Sequence, residues 1–148
     1  MSLFENKGIT NGEIINLSPS EAMECCKNGA YLVDIRKEYE TDYKTFEVEN
    51  LILLPKNKLP ENYKTIPQDK PVIIADSTGL SSKKAIMFLK EKGYENLANL
   101  AGGIMQWTRD NLPLKIDNNE ALAKPYFYES KPKNFVKSRL VKKDFSEK

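Results

Sequence analysis

Residues 71–107 read PVIIADSTGLSSKKAIMFLKEKGYENLANLAGGIMQW, and this stretch decides the fold. Val72 to Ala75 is a short apolar run rich in β-branched side chains, with Pro71 before it and Gly79 shortly after. That pattern predicts a strand buried on both faces, as in a parallel sheet. Asp76, Ser77, Thr78, Gly79, Leu80, Ser81 and Ser82 follow as a turn of mostly small, hydroxyl-bearing residues. Ala85, Ile86, Phe88 and Leu89 then recur with helical spacing, and Gly93 closes that helix as a C-terminal cap. Leu97 to Leu100 is a second strand, Gly102-Gly103 a turn, and Ile104 and Trp107 lie on a further helix. A loop between the end of a parallel strand and the start of a helix aims several backbone N–H groups at one point. Such loops bind anions and carry the chemistry of open α/β proteins.

Upstream, the pattern is of the same kind. Ile14 to Leu17 predicts a short strand, and Ser18-Pro19-Ser20-Glu21 a helix start, with Ser18 as cap and Glu21 three residues on. That helix runs to about Asn28, where Gly29 ends it. Tyr31 to Arg36 predicts the next strand and Leu51 to Leu54 another, followed by Pro55. Residues 56–69 form a polar connection punctuated by Pro60 and Pro67, with room for a short helix. Residues 1–12 are polar and read as a flexible N-terminus.

The bulk properties narrow the function. A chain of 148 residues with net charge +2 supports one domain with a proper core. No apolar run reaches membrane-spanning length and the N-terminus lacks a signal-peptide core, so a cytoplasmic protein with no membrane association is expected. The two cysteines, Cys25 and Cys26, are neighbours on one predicted helix, which predicts free thiols packed in the core and no structural disulfide. There is no histidine. The commonest general base and metal ligand is therefore missing, and neither a metal site nor a cofactor is expected.

The loop and the residues around it resemble the rhodanese-like domain family. In that family a strand ends in a catalytic Cys inside a loop of the form Cys-Arg-x-Gly-x-Arg. A Ser, a helix and a Gly-Gly-(Ile/Phe)-x-x-Trp turn follow. Gly79, Ser82, Gly102, Gly103, Ile104 and Trp107 match. Asp76 stands at the Cys position, and Ser77 and Ser81 stand at the two Arg positions. Asp34, Arg36, Glu38 and Tyr39 resemble the Asp-Val-Arg signature and its continuation, which implies that Asp34 organises nearby loops, with Arg36 in support. Where the family has Gly-His-Ile-Pro-Gly-Ala, this chain has Glu47 at the His position and no Gly.

The resemblance implies one α/β domain over residues 13–114, with a mostly parallel central sheet flanked by helices on both faces. It also implies a vestigial site, because a carboxylate cannot store sulfane sulfur. If the loop keeps its shape, the Asp76 carboxylate fills the cradle itself. The expected function is a catalytically inactive rhodanese-like domain acting as a binding or interaction module. Two enzymatic alternatives stay open: a rhodanese-type sulfurtransferase with its nucleophile relocated to Cys25 or Cys26, and phosphoryl transfer centred on Asp76. Residues 115–148 form a C-terminal extension of net charge +4 with five aromatics, Tyr126, Phe127, Tyr128, Phe135 and Phe145. So many aromatics predict that the part from Pro125 to Val136 docks, on the chain's own domain, on a second copy or on a partner protein. The basic residues are scattered among acids, so nucleic acid is not the expected partner.

Overall fold

The computed structural model describes residues 3–117. By contact clustering the chain divides into two compact units. Among the described residues, the larger comprises 3–36 together with Phe46–Pro113, and the smaller comprises Lys37–Thr45 and 114–117. No helix among the described residues is long and apolar enough to cross a membrane.

The larger unit is built on a six-stranded sheet. Its strands are β1 (Ile9–Asn11), β2 (Ile14–Leu17), β3 (Tyr31–Asp34), β5 (Leu51–Leu53), β6 (Val72–Ala75) and β7 (Leu97–Leu100). Their order across the sheet is β1-β2-β7-β6-β3-β5. β1 pairs antiparallel with β2, and every other pairing in this sheet is parallel. Central β6 is buried at all four positions, as its unbroken apolar run predicts.

Helices cover both faces. Val33, Val72, Ile74 and Leu97 share one core cluster with Ala85, Ile86 and Leu89 of α4 (Ser81–Glu91) and Leu59 of α3 (Leu59–Asn62). Strand side chains alternate between faces. The intervening Leu32, Ile73 and Ala98 are therefore turned to the opposite face, where α1 (Pro19–Lys27) and α5 (Gly103–Arg109) pack on each other. Ser18 and Glu21 close the predicted capping box on α1: the Glu21 amide donates to Ser18 Oγ at 3.2 Å and the Ser18 amide to Glu21 Oε1 at 2.9 Å. Fully buried Trp107 meets Phe46 edge-on at 5.0 Å, and its Nε1–H donates to the Pro113 carbonyl at 2.9 Å. Burying each such side chain contributes roughly 1.5–3 kcal/mol. Tyr94 ties down the 56–69 connection by donating its hydroxyl to the carbonyls of Tyr63 and Ile66.

The smaller unit contains α2 (Glu38–Tyr43), two residues of β4 (Lys44–Phe46), and β8 (Leu114–Ile116), with β4 and β8 paired as a two-stranded sheet.

The structure adds to or departs from the sequence expectations at four points. Within residues 3–12, β1 pairs with β2 through the Asn11-Gly12 turn, Phe4 is buried, and the Gly8 amide donates to Glu21 Oε2. The strand beginning at Tyr31 stops at Asp34, because Arg36 folds back onto the Asp34 carboxylate. α2 was not expected, since EYETDY has no apolar stripe. Leu114, the expected end of the domain, is the first residue of β8. The rest of the extension, with its five aromatics, lies outside the described residues.

Candidate functional site

The site is the loop from Asp76 to Ser82, between the C-terminal end of β6 and the start of α4. Asp76 is buried, and its carboxylate turns back into the loop. Oδ1 accepts the Gly79 amide in a short hydrogen bond. Oδ2 accepts the amides of Ser81 at 2.7 Å and Ser82 at 3.2 Å. Ser81 and Ser82 open α4, whose N-cap residue, Leu80, makes no side-chain capping bond. The cap therefore comes from five and six residues upstream. A carboxylate suits this place, because it meets otherwise unpaired helix N–H groups and the positive end of the helix dipole.

Two glycines let the loop and α5 approach this closely. Gly79 has φ +91°, and a Cβ there would lie 2.8 Å from the Gly102 amide nitrogen. A Cβ on Gly103 would overlap the Ser77 carbonyl and sit 2.6 Å from the Asp76 carbonyl oxygen. Across this contact the first amides of α5 donate to the loop: Ile104 to the Asp76 carbonyl at 2.9 Å and Met105 to that of Ser77 at 3.1 Å. The Gly102-Gly103 turn and the Asp76 loop are thus one construction.

A buried polar chain supports the loop from beneath. The Ser82 hydroxyl makes a short hydrogen bond to Asn99 Oδ1. Asn99 Nδ2 donates to the Gly79 carbonyl at 3.2 Å and to Asn16 Oδ1 at 2.8 Å. Asn16 and Asn99 are register partners on β2 and β7. Neither was singled out in the sequence, though a signal existed. Asparagine is disfavoured in strands, and both interrupt apolar runs, IINL and LANL.

The structure thus brings together Asp76, Gly79, Ser81 and Ser82 through one carboxylate, with Ser77 bonded through its carbonyl. Thr78 and Leu80 face solvent, Leu80 with 71% of its surface exposed. Asp34 lies on β3 beside Ala75, the residue before Asp76. Its carboxylate does not gather loop amides as the resemblance implied. It accepts the Arg36 amide at 3.1 Å and the Arg36 guanidinium through Nε at 3.0 Å and Nη2 at 2.8 Å. The Arg36 cation pairs with this buried carboxylate and lies 6.0 Å from the Phe46 ring centre.

Cys25 and Cys26 are both buried on α1. The Cys25 thiol lies 3.8 Å from the Leu3 carbonyl oxygen, under the N-terminal segment. Burial pushes the Cys25 thiol up from its ordinary pKa, and burial with the neighbouring Cys25 pushes Cys26 up to about 12. Both are protonated at neutral pH, whereas a reactive thiol is held as the thiolate. Among the described residues no group of three or more His, Cys, Asp or Glu side chains is placed to hold a metal ion.

Comparison with known proteins agrees with this frame. The family model of the rhodanese-like domain matches residues 18–110. The chain belongs to the rhodanese-like domain family. Among related proteins, this rhodanese-like chain is 33% identical over 102 residues to the thiosulfate sulfurtransferase GlpE of Haemophilus influenzae (strain PittEE), covering 66% of this chain and 91% of that one. It is 35% identical over 83 residues to a sulfurtransferase of Allochromatium vinosum, covering 56% and 76%. Among solved structures, a rhodanese-related protein of Thermoplasma volcanium superposes with a TM-score of 0.63 at 24% identity, over 69% of this chain and 98% of that one; it speaks for the fold alone. The Bacillus anthracis CoADR-RHD protein superposes with a TM-score of 0.60 at 27% identity, over 65% of this chain and 17% of that one.

Proposed function

We propose that this rhodanese-like domain does not transfer sulfur at its loop and works as a binding module for a protein partner. One observation carries the reading: the Asp76 carboxylate takes the amides of Gly79, Ser81 and Ser82 that would otherwise serve a thiolate or a bound anion. A carboxylate oxygen forms no persulfide. Its charge repels an anionic donor such as thiosulfate, and Ser77 and Ser81 supply no cation to offset that. The free, buried thiols fit a reducing compartment and hence a cytoplasmic location.

The second reading is sulfur transfer through Cys25 or Cys26, favoured by the sulfurtransferase names of the relatives. Burial and raised pKa weigh against it. Phosphoryl transfer has less support, because both oxygens of Asp76 are already held by backbone N–H groups.

The test is thiosulfate-to-cyanide sulfur transfer by the wild type, Asp76→Cys, and Cys25→Ser and Cys26→Ser. The proposal expects a silent wild type. Wild-type turnover that disappears in either Ser variant overturns it and establishes a relocated nucleophile.

A further inference from the structure

The outward face of α2 carries an aromatic and acidic surface beside the point where the chain leaves the described fold. Tyr39 and Tyr43 are one helical turn apart, on the same side of the helix. They are 70% and 45% exposed. Glu38 and Asp42 form the row on one side of the tyrosines and Glu40 lies on the other; Glu38–Tyr43 contains no basic residue, and Lys37 and Lys44 flank it as the cap residues. Ile116 on β8 is a further exposed apolar side chain of this unit. A six-residue helix is far too short to hold itself by its own hydrogen bonds, and a two-stranded ribbon is marginal alone. Such elements persist through packing.

The chain exits at this surface. The Asp117 amide donates to the Tyr43 carbonyl at 2.8 Å, which fixes residue 117 at the C-terminal end of α2. From there 31 residues remain, with eight Lys or Arg against four Asp or Glu, and with Tyr126, Phe127, Tyr128, Phe135 and Phe145. The segment's charge is opposite to that of α2, and its aromatic rings match the exposed tyrosines. Tethering through a few residues gives it a high effective concentration at the helix, which an untethered partner lacks.

We propose that the occupant of the Tyr39–Tyr43 face of α2 is this chain's own segment 118–148, held by aromatic contacts with the two tyrosines and favoured by the opposite net charge of segment and helix.

The experiment uses the full chain, uniformly nitrogen-15 labelled, with a nitroxide attached at Tyr128→Cys; the native thiols are buried and do not compete. The expected result is loss of amide signal for residues 38–43. Signal loss confined to other residues, such as the 76–82 loop, or no loss at all, overturns the proposal. So does loss seen only when labelled chains are mixed with unlabelled nitroxide-bearing ones, which assigns the face to a second copy. A label-free measurement guards against disturbance by the nitroxide. Tryptic cleavage after Lys133 and Lys137 should be about tenfold faster in Tyr39→Ser/Tyr43→Ser than in wild type, because cleavage follows local release. Equal rates count against the docking.

Discussion

Asp76 shows how a single carboxylate can hold a loop in shape. Its two oxygens collect three amides from Gly79, Ser81 and Ser82, and the last two belong to α4. Asp76→Ala strands those buried donors, so it should cost about 2–4 kcal/mol, read as a lower urea midpoint at unchanged m. Asp76→Asn should cost nearly as much. An amide offers one acceptor oxygen, and its NH2 must face donors on one side or the other. A variant as stable as wild type would show that the carboxylate does not organise the loop. In Asp76→Cys the same donors should hold a thiolate, bringing the thiol below the ordinary thiol value, measured by alkylation rate against pH. An alkylation profile at or above that value would mean that the amides have turned away.

At the scale of elements, the site is a junction of β6, α4, β7 and α5 without slack. Gly103→Ala places a Cβ into the Ser77 carbonyl and against that of Asp76, both backbone atoms that cannot swing aside. It should destabilise by about 3 kcal/mol and remove the exchange protection of the Ile104 and Met105 amides together. If protection there survives, α5 is not docked through this contact. Asn99→Leu tests the support under the loop. It leaves the Ser82 hydroxyl and the Gly79 carbonyl buried without a partner and should cost about 1–3 kcal/mol, measured as a urea-midpoint shift. Asn16→Leu combined with it should cost less than the two changes separately, since both act on one chain of hydrogen bonds.

For the whole molecule, the buried cysteines set an alkaline limit. The Cys26 thiol has a folded pKa of about 12 against an ordinary value of 9.0, and Cys25 is raised as well. Above pH 9 the unfolded chain sheds these protons while the folded chain keeps them. The unfolded state then binds fewer protons, and stability falls as pH rises. The contribution is complete below about pH 9 and is lost on the way up to pH 12. Cys26→Ala should flatten the fall of unfolding free energy between about pH 9 and 11 by about 1.4 kcal/mol per pH unit. An unchanged slope would mean that this thiol ionises in the folded state. At the acid end, backbone donors from Ser18 and Gly8 lower the Glu21 pKa, so the tether between the N-terminal segment and α1 weakens as pH falls.

Much of this protein was written along the chain itself. The four-residue apolar run of β6, the Ser18–Glu21 box and the strand at Leu97–Leu100 were legible because burial and capping leave local, periodic traces. The family frame was legible in Gly79, Ser82, Gly102, Gly103, Ile104 and Trp107. The chain could not announce contacts between residues distant in sequence. Asn16 and Asn99 look like weak strand residues until parallel pairing sets them side by side, 83 positions apart. Asp34 and Arg36 stand two residues apart in the chain, but only the fold shows that they are buried together as an ion pair. α2, β1 and β8 escaped notice because elements this short, exposed and polar owe their existence to what packs on them. Sequence fixes which groups are present and which local shapes they prefer. Tertiary structure chose their partners, because a buried polar group must take whichever donor or acceptor the fold brings within reach.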